Sequence, residues 1–115
     1  MKHQILSTKV HGAIDYAVGT LLTSTPFFAE DSPESAILAT QGITATTYSL
    51  FTDYELAVAR KIPVKTHLAL DIVSGAFLVA APWLFNLDKK SRIPFVALGL
   101  FEITTALLTK PEPED

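Results

Sequence analysis

Hydrophobic and polar positions along the chain fall into four long apolar stretches separated by short charged segments. Residues 10–29 hold one acid or base, Asp15; 35–52 hold none; 66–87 hold Asp71; 93–109 hold Glu102. Each stretch is 17 to 22 residues long, close to the ~20 that a helix needs to cross the hydrocarbon core. Helices of a soluble bundle would carry a charged stripe every turn, and these do not. The pattern predicts an all-α chain of four transmembrane helices.

Local signals set the boundaries. Ser32-Pro33-Glu34 reads as an N-cap, a proline at the first helical position and an acid in the first turn. Ser91 is placed to cap the fourth helix, and Ile62-Pro63 separates the second from the third. Residues 53–61 keep helical composition, which predicts that the second helix projects beyond the membrane. Pro26 and Pro82 fall near the far ends of helices one and three, where each should kink or stop its helix. The tail, 111–115, is short and acidic and is expected to lack structure.

The stretches are related by duplication. Lys9, His11, Ala13, Asp15, Gly19, Leu22 and Pro26 recur 56 residues later as Lys65, His67, Ala69, Asp71, Gly75, Leu78 and Pro82. Gly42, Thr47, Leu50 and Thr52 match Gly99, Thr104, Leu107 and Thr109 at an offset of 57. The unit is a helical hairpin, present twice in a single membrane domain, 1–115. Repeat one covers about 9–58 and repeat two about 65–110. At ~100° per residue the shared His, Asp, Gly, Leu and Pro lie within an arc of roughly 80°. That stripe is expected to be the face on which the copies meet, with Gly19 and Gly75 permitting close backbone approach.

Composition narrows the class. Charged residues make up 18% of the chain against an average of about 25% in soluble proteins. No cysteine is present, which removes disulfide and thiolate chemistry. A net charge of −3 does not suit a nucleic-acid partner. Met1-Lys-His-Gln lacks the basic-then-apolar layout of a cleaved signal peptide. Lys2, Lys9, Arg60, Lys61, Lys65 and Lys110 fall on one side of the predicted membrane, and Lys89, Lys90 and Arg92 on the other. The positive-inside rule then places both termini in the cytoplasm. The first outer loop, with Glu30, Asp31 and Glu34, holds no basic residue.

Thr25-Pro26-Phe27 and Ala81-Pro82-Trp83 each follow a His-x-x-x-Asp by a similar interval. With the duplicated His, Asp, Gly and Pro, the chain resembles the SPW-repeat family of small prokaryotic integral membrane proteins. In that family each repeat is a pair of transmembrane helices with a Ser-Pro-Trp motif. This chain departs from the motif where Thr25 or Ala81 replaces Ser and where Phe27 replaces the first Trp. The resemblance implies a membrane location and no particular activity.

Ionisable residues inside a membrane are costly and mark a site by default. Here they are His11, Asp15, His67, Asp71 and Glu102. With one helix between them, helices one and three run in the same direction and the repeats are parallel. Four residues apart means adjacent on one helix face, so each His can bond its own Asp. If the stripes face each other, two imidazoles and two carboxylates converge.

Three readings of that cluster stand open. One is a polar clamp that fixes helix register, with Lys9 and Lys65 as interfacial anchors. A second is a metal site at His11, Asp15, His67 and Asp71, suited to zinc, manganese or non-haem iron, or haem held axially by the two His. A third is proton or ion translocation by an oligomer. There Asp15, Asp71 and Glu102 would work with the polar second helix (Thr40, Gln41, Thr44, Thr46, Thr47, Tyr48, Ser49). Glu102 has Ala45 as its counterpart and is expected to be a protonated acid bonded to a neighbouring Thr or Tyr. Phe27, Phe28, Trp83 and Phe85 suit an interfacial aromatic belt. No Gly-x-Ser-x-Gly or glycine-rich phosphate loop is present. The expected partners are the lipid bilayer and a further copy or another membrane protein. The expected role is structural or interaction-mediating rather than enzymatic.

Overall fold

A computed structural model describes residues 4–28 and 32–112, apart from the side chain of Phe28. Among these residues the chain is all-helical, with α1 (Thr8–Thr23), a short α2 (Thr25–Phe28), α3 (Pro33–Leu50), α4 (Val64–Leu84) and α5 (Arg92–Leu108). The loop acids Glu30 and Asp31, together with Lys2 and most of the acidic tail, lie outside the described residues.

The helix starts follow local chemistry. Ser7 caps α1 by accepting from the Val10 amide, and Ser32 caps α3 by accepting from the Ser35 amide, with Pro33 at the first position and Glu34 in the first turn. Ser91 occupies the N-cap position of α5 without a capping bond, because its hydroxyl donates to Glu34 Oε2 at 3.0 Å. The two prolines act differently. α1 stops at Thr23, and after the turn at Ser24 Pro26 sits in the first turn of α2, where it needs no amide donor. Pro82 lies inside α4, which ends two residues later. Asn86 then takes a left-handed φ of 49°, a conformation asparagine tolerates after a helix.

The second helix does not project. α3 ends at Leu50, and residues 51–63 fold back as a loop. The amides of Val58 and Ala59 bond to Leu50 O, and those of Lys61 and Ile62 bond to Phe51 O. This spends the carbonyls a continuing helix would need. It also turns Tyr54 inward, where it is fully buried.

Each hairpin is zipped by glycine. A Cβ on Gly42 would lie 2.7 Å from Gly19 O, and one on Gly75 would lie 2.6 Å from Gly99 O. Gly19 and Gly75 thus pack within their own hairpins, α1 on α3 and α4 on α5, not between the copies as the shared stripe suggested. The His and Asp of the stripe do face the other repeat, and Leu78 packs in a cluster that includes Ile37 and Leu38 of the first repeat.

The start of α1, the end of α3, the start of α4 and the end of α5 share one end of the molecule, so α1 and α4 are parallel. Two parallel bridges prove the relation. Leu6 pairs with Thr109, and Ile62 pairs with Thr52. Ile62 is the repeat counterpart of Leu6, and Thr52 that of Thr109. The pairs are therefore exchanged by a pseudo-two-fold axis along the helices. At the far end Leu78, Ala81, Leu87 and Phe95 form a small apolar core with Ile37, Leu38 and Leu98. At the near end Tyr54, Val64, Leu68 and Ala106 form another.

Two segments, Val64–Leu84 and Lys89–Leu108, are long and apolar enough to cross a membrane. The other two predicted spans fall short as single helices. The 16 residues of α1 rise only about 24 Å, and α3 is diluted by Thr, Ser and Gln.

Candidate functional site

The duplicated His and Asp meet between the hairpins, beneath the near end. His11 Nε2 lies 2.8 Å from Asp71 Oδ2, and His67 Nε2 lies 2.8 Å from Asp15 Oδ2. Within each helix the His–Asp distances are longer, 3.2 Å for His11–Asp15 and 3.1 Å for His67–Asp71. The shorter contacts therefore cross between repeats. Nitrogen and oxygen alternate around a four-membered ring, and the four ligand-type atoms lie within 4.8 Å of one another. His11 is 1% exposed and His67 0%.

Two threonines fix the outer side of each imidazole. Thr109 Oγ1 lies 2.6 Å from His11 Nδ1 and donates its proton to Thr105 O at 2.6 Å. Thr52 Oγ1 lies 2.7 Å from His67 Nδ1 and donates to Tyr48 O at 2.6 Å. A hydroxyl has one proton. With that proton given to a carbonyl one turn back, each threonine can only accept from its histidine. Both Nδ1 atoms therefore carry hydrogen, and both Nε2 atoms point at the carboxylates. These threonines are one of the 57-offset pairs of the duplication; the repeat marked them, but only the fold shows why.

Aromatic side chains close the site. Tyr48 donates to Asp71 Oδ1 at 2.5 Å. Tyr54 and Ser49 reach Asp15 Oδ2 at 3.4 Å each. The rings of Tyr48 and Tyr54 stand 4.7 and 4.8 Å from that of His67. Burial, then the neighbouring Asp15 and Asp71 carboxylates, push the Tyr54 phenol well above the ordinary tyrosine range, so it stays a donor. Tyr54 lies in the loop after α3, and nothing in the repeat pattern signalled it.

The symmetry breaks on one side. The counterpart of Tyr48 is Thr105, which is too short to replace a phenol. A cavity of about 20 Å³ lies there, lined by His11, Asp15, Asp71, Glu102 and Thr105 with apolar residues of α1 and α5. That is room for about one water. Glu102 lines this cavity with a buried Oε2 that has no partner. Its hydrogen-bond partner is the Gln41 amide of α3, not the Thr or Tyr expected. Gln41 also donates to Ser74 at 2.5 Å.

The rest of the polar second helix is dispersed. Thr40, Thr44 and Thr47 are exposed, and Thr47 bonds back to Ile43 O. Thr46 packs against Gly19 with a buried, unpaired hydroxyl. Phe27, Trp83 and Phe85 are exposed at the far end, and Arg92 lies over the Trp83 ring at 5.1 Å. Pro26 and Pro82 flank this end and do not touch the cluster.

The geometry rules out haem between these histidines. Their ring centroids are 5.4 Å apart, edge to face, with both carboxylates between the Nε2 atoms. No slot for a porphyrin exists there. A single small ion fits the donor set. Comparison with protein-family models, curated proteins and solved structures finds no match for this chain.

Proposed function

We propose that this chain is a small multi-pass membrane protein of SPW-repeat type, in which a buried His–Asp quartet locks two helical hairpins into one unit. Its role is structural or interaction-mediating, with the bilayer as its main partner. The carrying observation is an inverted distribution of side chains. Its fully buried residues include His11, His67, Thr8, Thr52, Thr109 and Ser49. Phe27, Val73, Leu84 and Ile93 are 90, 68, 67 and 82% exposed, with many other large apolar residues also outside. Water would penalise such a surface over so many positions. Lipid would not, and polar groups in lipid need partners within the chain, which His11, His67, Thr52, Thr109 and Asp71 have.

Four crossings follow if α1 and α2 act as one span. Residues 8–28 rise about 31 Å when taken together. Basic residues cluster at the near end, and the positive-inside rule supports a cytoplasmic location for that end. Exposed apolar faces on every helix leave room for a further copy of the chain. One test suffices: alkaline extraction should leave the expressed chain in the membrane fraction, and recovery in the wash would overturn the reading.

The cavity carrying Glu102 favours a second reading, proton or ion translocation by an oligomer. Purified protein in liposomes should then support a flux that Asp15→Asn or Asp71→Asn abolishes. Wild-type liposomes no leakier than empty ones would remove it.

A further inference from the structure

We propose that His11 Nε2, His67 Nε2, Asp15 Oδ2 and Asp71 Oδ2 bind one divalent first-row transition ion, with zinc(II) the ion of choice. The proposal goes beyond the clamp: the same quartet that joins the hairpins becomes a metal centre shared equally by both repeats.

Three observations carry it. First, the donor atoms converge. The four nitrogen–oxygen distances run from 2.8 to 3.2 Å. Zinc–nitrogen and zinc–oxygen bonds of about 2.0–2.1 Å give tetrahedral edges of about 3.4 Å. The four nitrogen–oxygen edges would lengthen by a few tenths of an ångström, and the wider spacing across the ring, within 4.8 Å, would contract toward the same value by side-chain rotation.

Second, the surroundings match those of a ligating histidine. Such residues hold one ring nitrogen by donating its N–H to an oxygen and present the other to the metal. Thr109 and Thr52 do this to both histidines, and each hydroxyl is fixed by its own bond to the preceding turn. Tyr48 holds the second oxygen of Asp71, which leaves Oδ2 turned to the centre.

Third, charge balance requires cations in the middle. With Nδ1 protonated, the quartet presents two nitrogen lone pairs and two carboxylates to one another in a buried site. Two bridging protons or one dication satisfy it. A dication does so with a single particle and uses all four donors. Two imidazoles and two carboxylates favour zinc, iron or manganese over calcium or magnesium, which prefer oxygen alone. The cavity beside His11, Asp15 and Glu102 has room for one water as an additional ligand.

The test uses the full chain in detergent, stripped with a chelator and then titrated with zinc(II), and separately with cobalt(II) as a spectroscopic probe. One zinc per chain is expected, together with the visible absorption of four- or five-coordinate cobalt. Neither should be displaced by a large excess of magnesium. Thr52→Val and Thr109→Val keep all four ligands and remove only the positioning hydroxyls. Each should weaken zinc binding about 10- to 100-fold and alter the cobalt spectrum, while helix content stays intact. Asp71→Asn should remove stoichiometric binding. A folded wild-type chain with no zinc or cobalt bound would overturn the proposal and leave two protons as the bridge, with the clamp intact. Binding that is unchanged in Asp71→Asn and Thr52→Val would place the metal elsewhere and overturn it equally.

Discussion

Replacing His67 by alanine in the metal-free protein tests the clamp most directly. The ring is fully buried and links three elements. It donates to Thr52 at the end of α3, meets Asp15 of α1 at 2.8 Å, and projects from α4. The Thr52 bond contributes about 0.5–1.5 kcal/mol and a charge-assisted bond about 1.5–3 kcal/mol. Loss of both gives about 3 kcal/mol, in line with the roughly 3–5 kcal/mol for breaking a buried pair by removing one partner. Ring contacts with Tyr48 and Tyr54 add to that cost. Reversible unfolding in detergent with added chelator measures it, with Val73→Ala, an exposed site, as a control expected within about 0.5 kcal/mol. A double-mutant cycle with Asp15→Asn should give a larger coupling than one with Asp71→Asn, because the cross-repeat contact is the shorter. A loss below about 1 kcal/mol for His67→Ala, or a coupling confined to the Asp of its own helix, would refute a clamp between repeats.

Other consequences are simpler to read. Tyr48→Phe removes the donor to Asp71 Oδ1 and should cost about 1–3 kcal/mol in the same unfolding assay. Gly99→Ala drives a Cβ into the Gly75 carbonyl, a backbone atom that cannot step aside, and should cost about 1–3 kcal/mol. Gly12→Ala meets only the edge of the Tyr54 ring at 3.3 Å and should cost less by thermal melting. Because the sequence holds no cysteine, single cysteines report topology cleanly. Lys61→Cys should react with an impermeant thiol reagent only from the cytoplasmic side, and Asp88→Cys only from the other.

The sequence alone determined the all-helical class, the four apolar segments, the duplication and the identity of the four central residues. It could do so because helix formation and capping are local. Ser7 aside, the Ser32-Pro33 start of α3 was visible as a pattern, and the constant offset exposed His11, Asp15, His67 and Asp71 without any alignment. Partnership was not legible. A His and an Asp one turn apart predict a bond within the helix, whereas packing brings the partner helix nearer than the next turn. The same limit applies to Gly19 and Gly75, whose stripe was shared with His and Asp but which face their own hairpins. Residues 53–61 have helical composition, yet amide bonds from within the loop back to Leu50 O and Phe51 O bend them under the site, and Tyr54 is buried there. Thr52 and Thr109 were visible as repeated positions, but their task depends on a donor being spent on one carbonyl and an acceptor being offered to a ring across the interface. The chain's periodicities thus set which side chains could meet. The tertiary structure decided which did, because the distances between helices depend on contacts far apart in sequence.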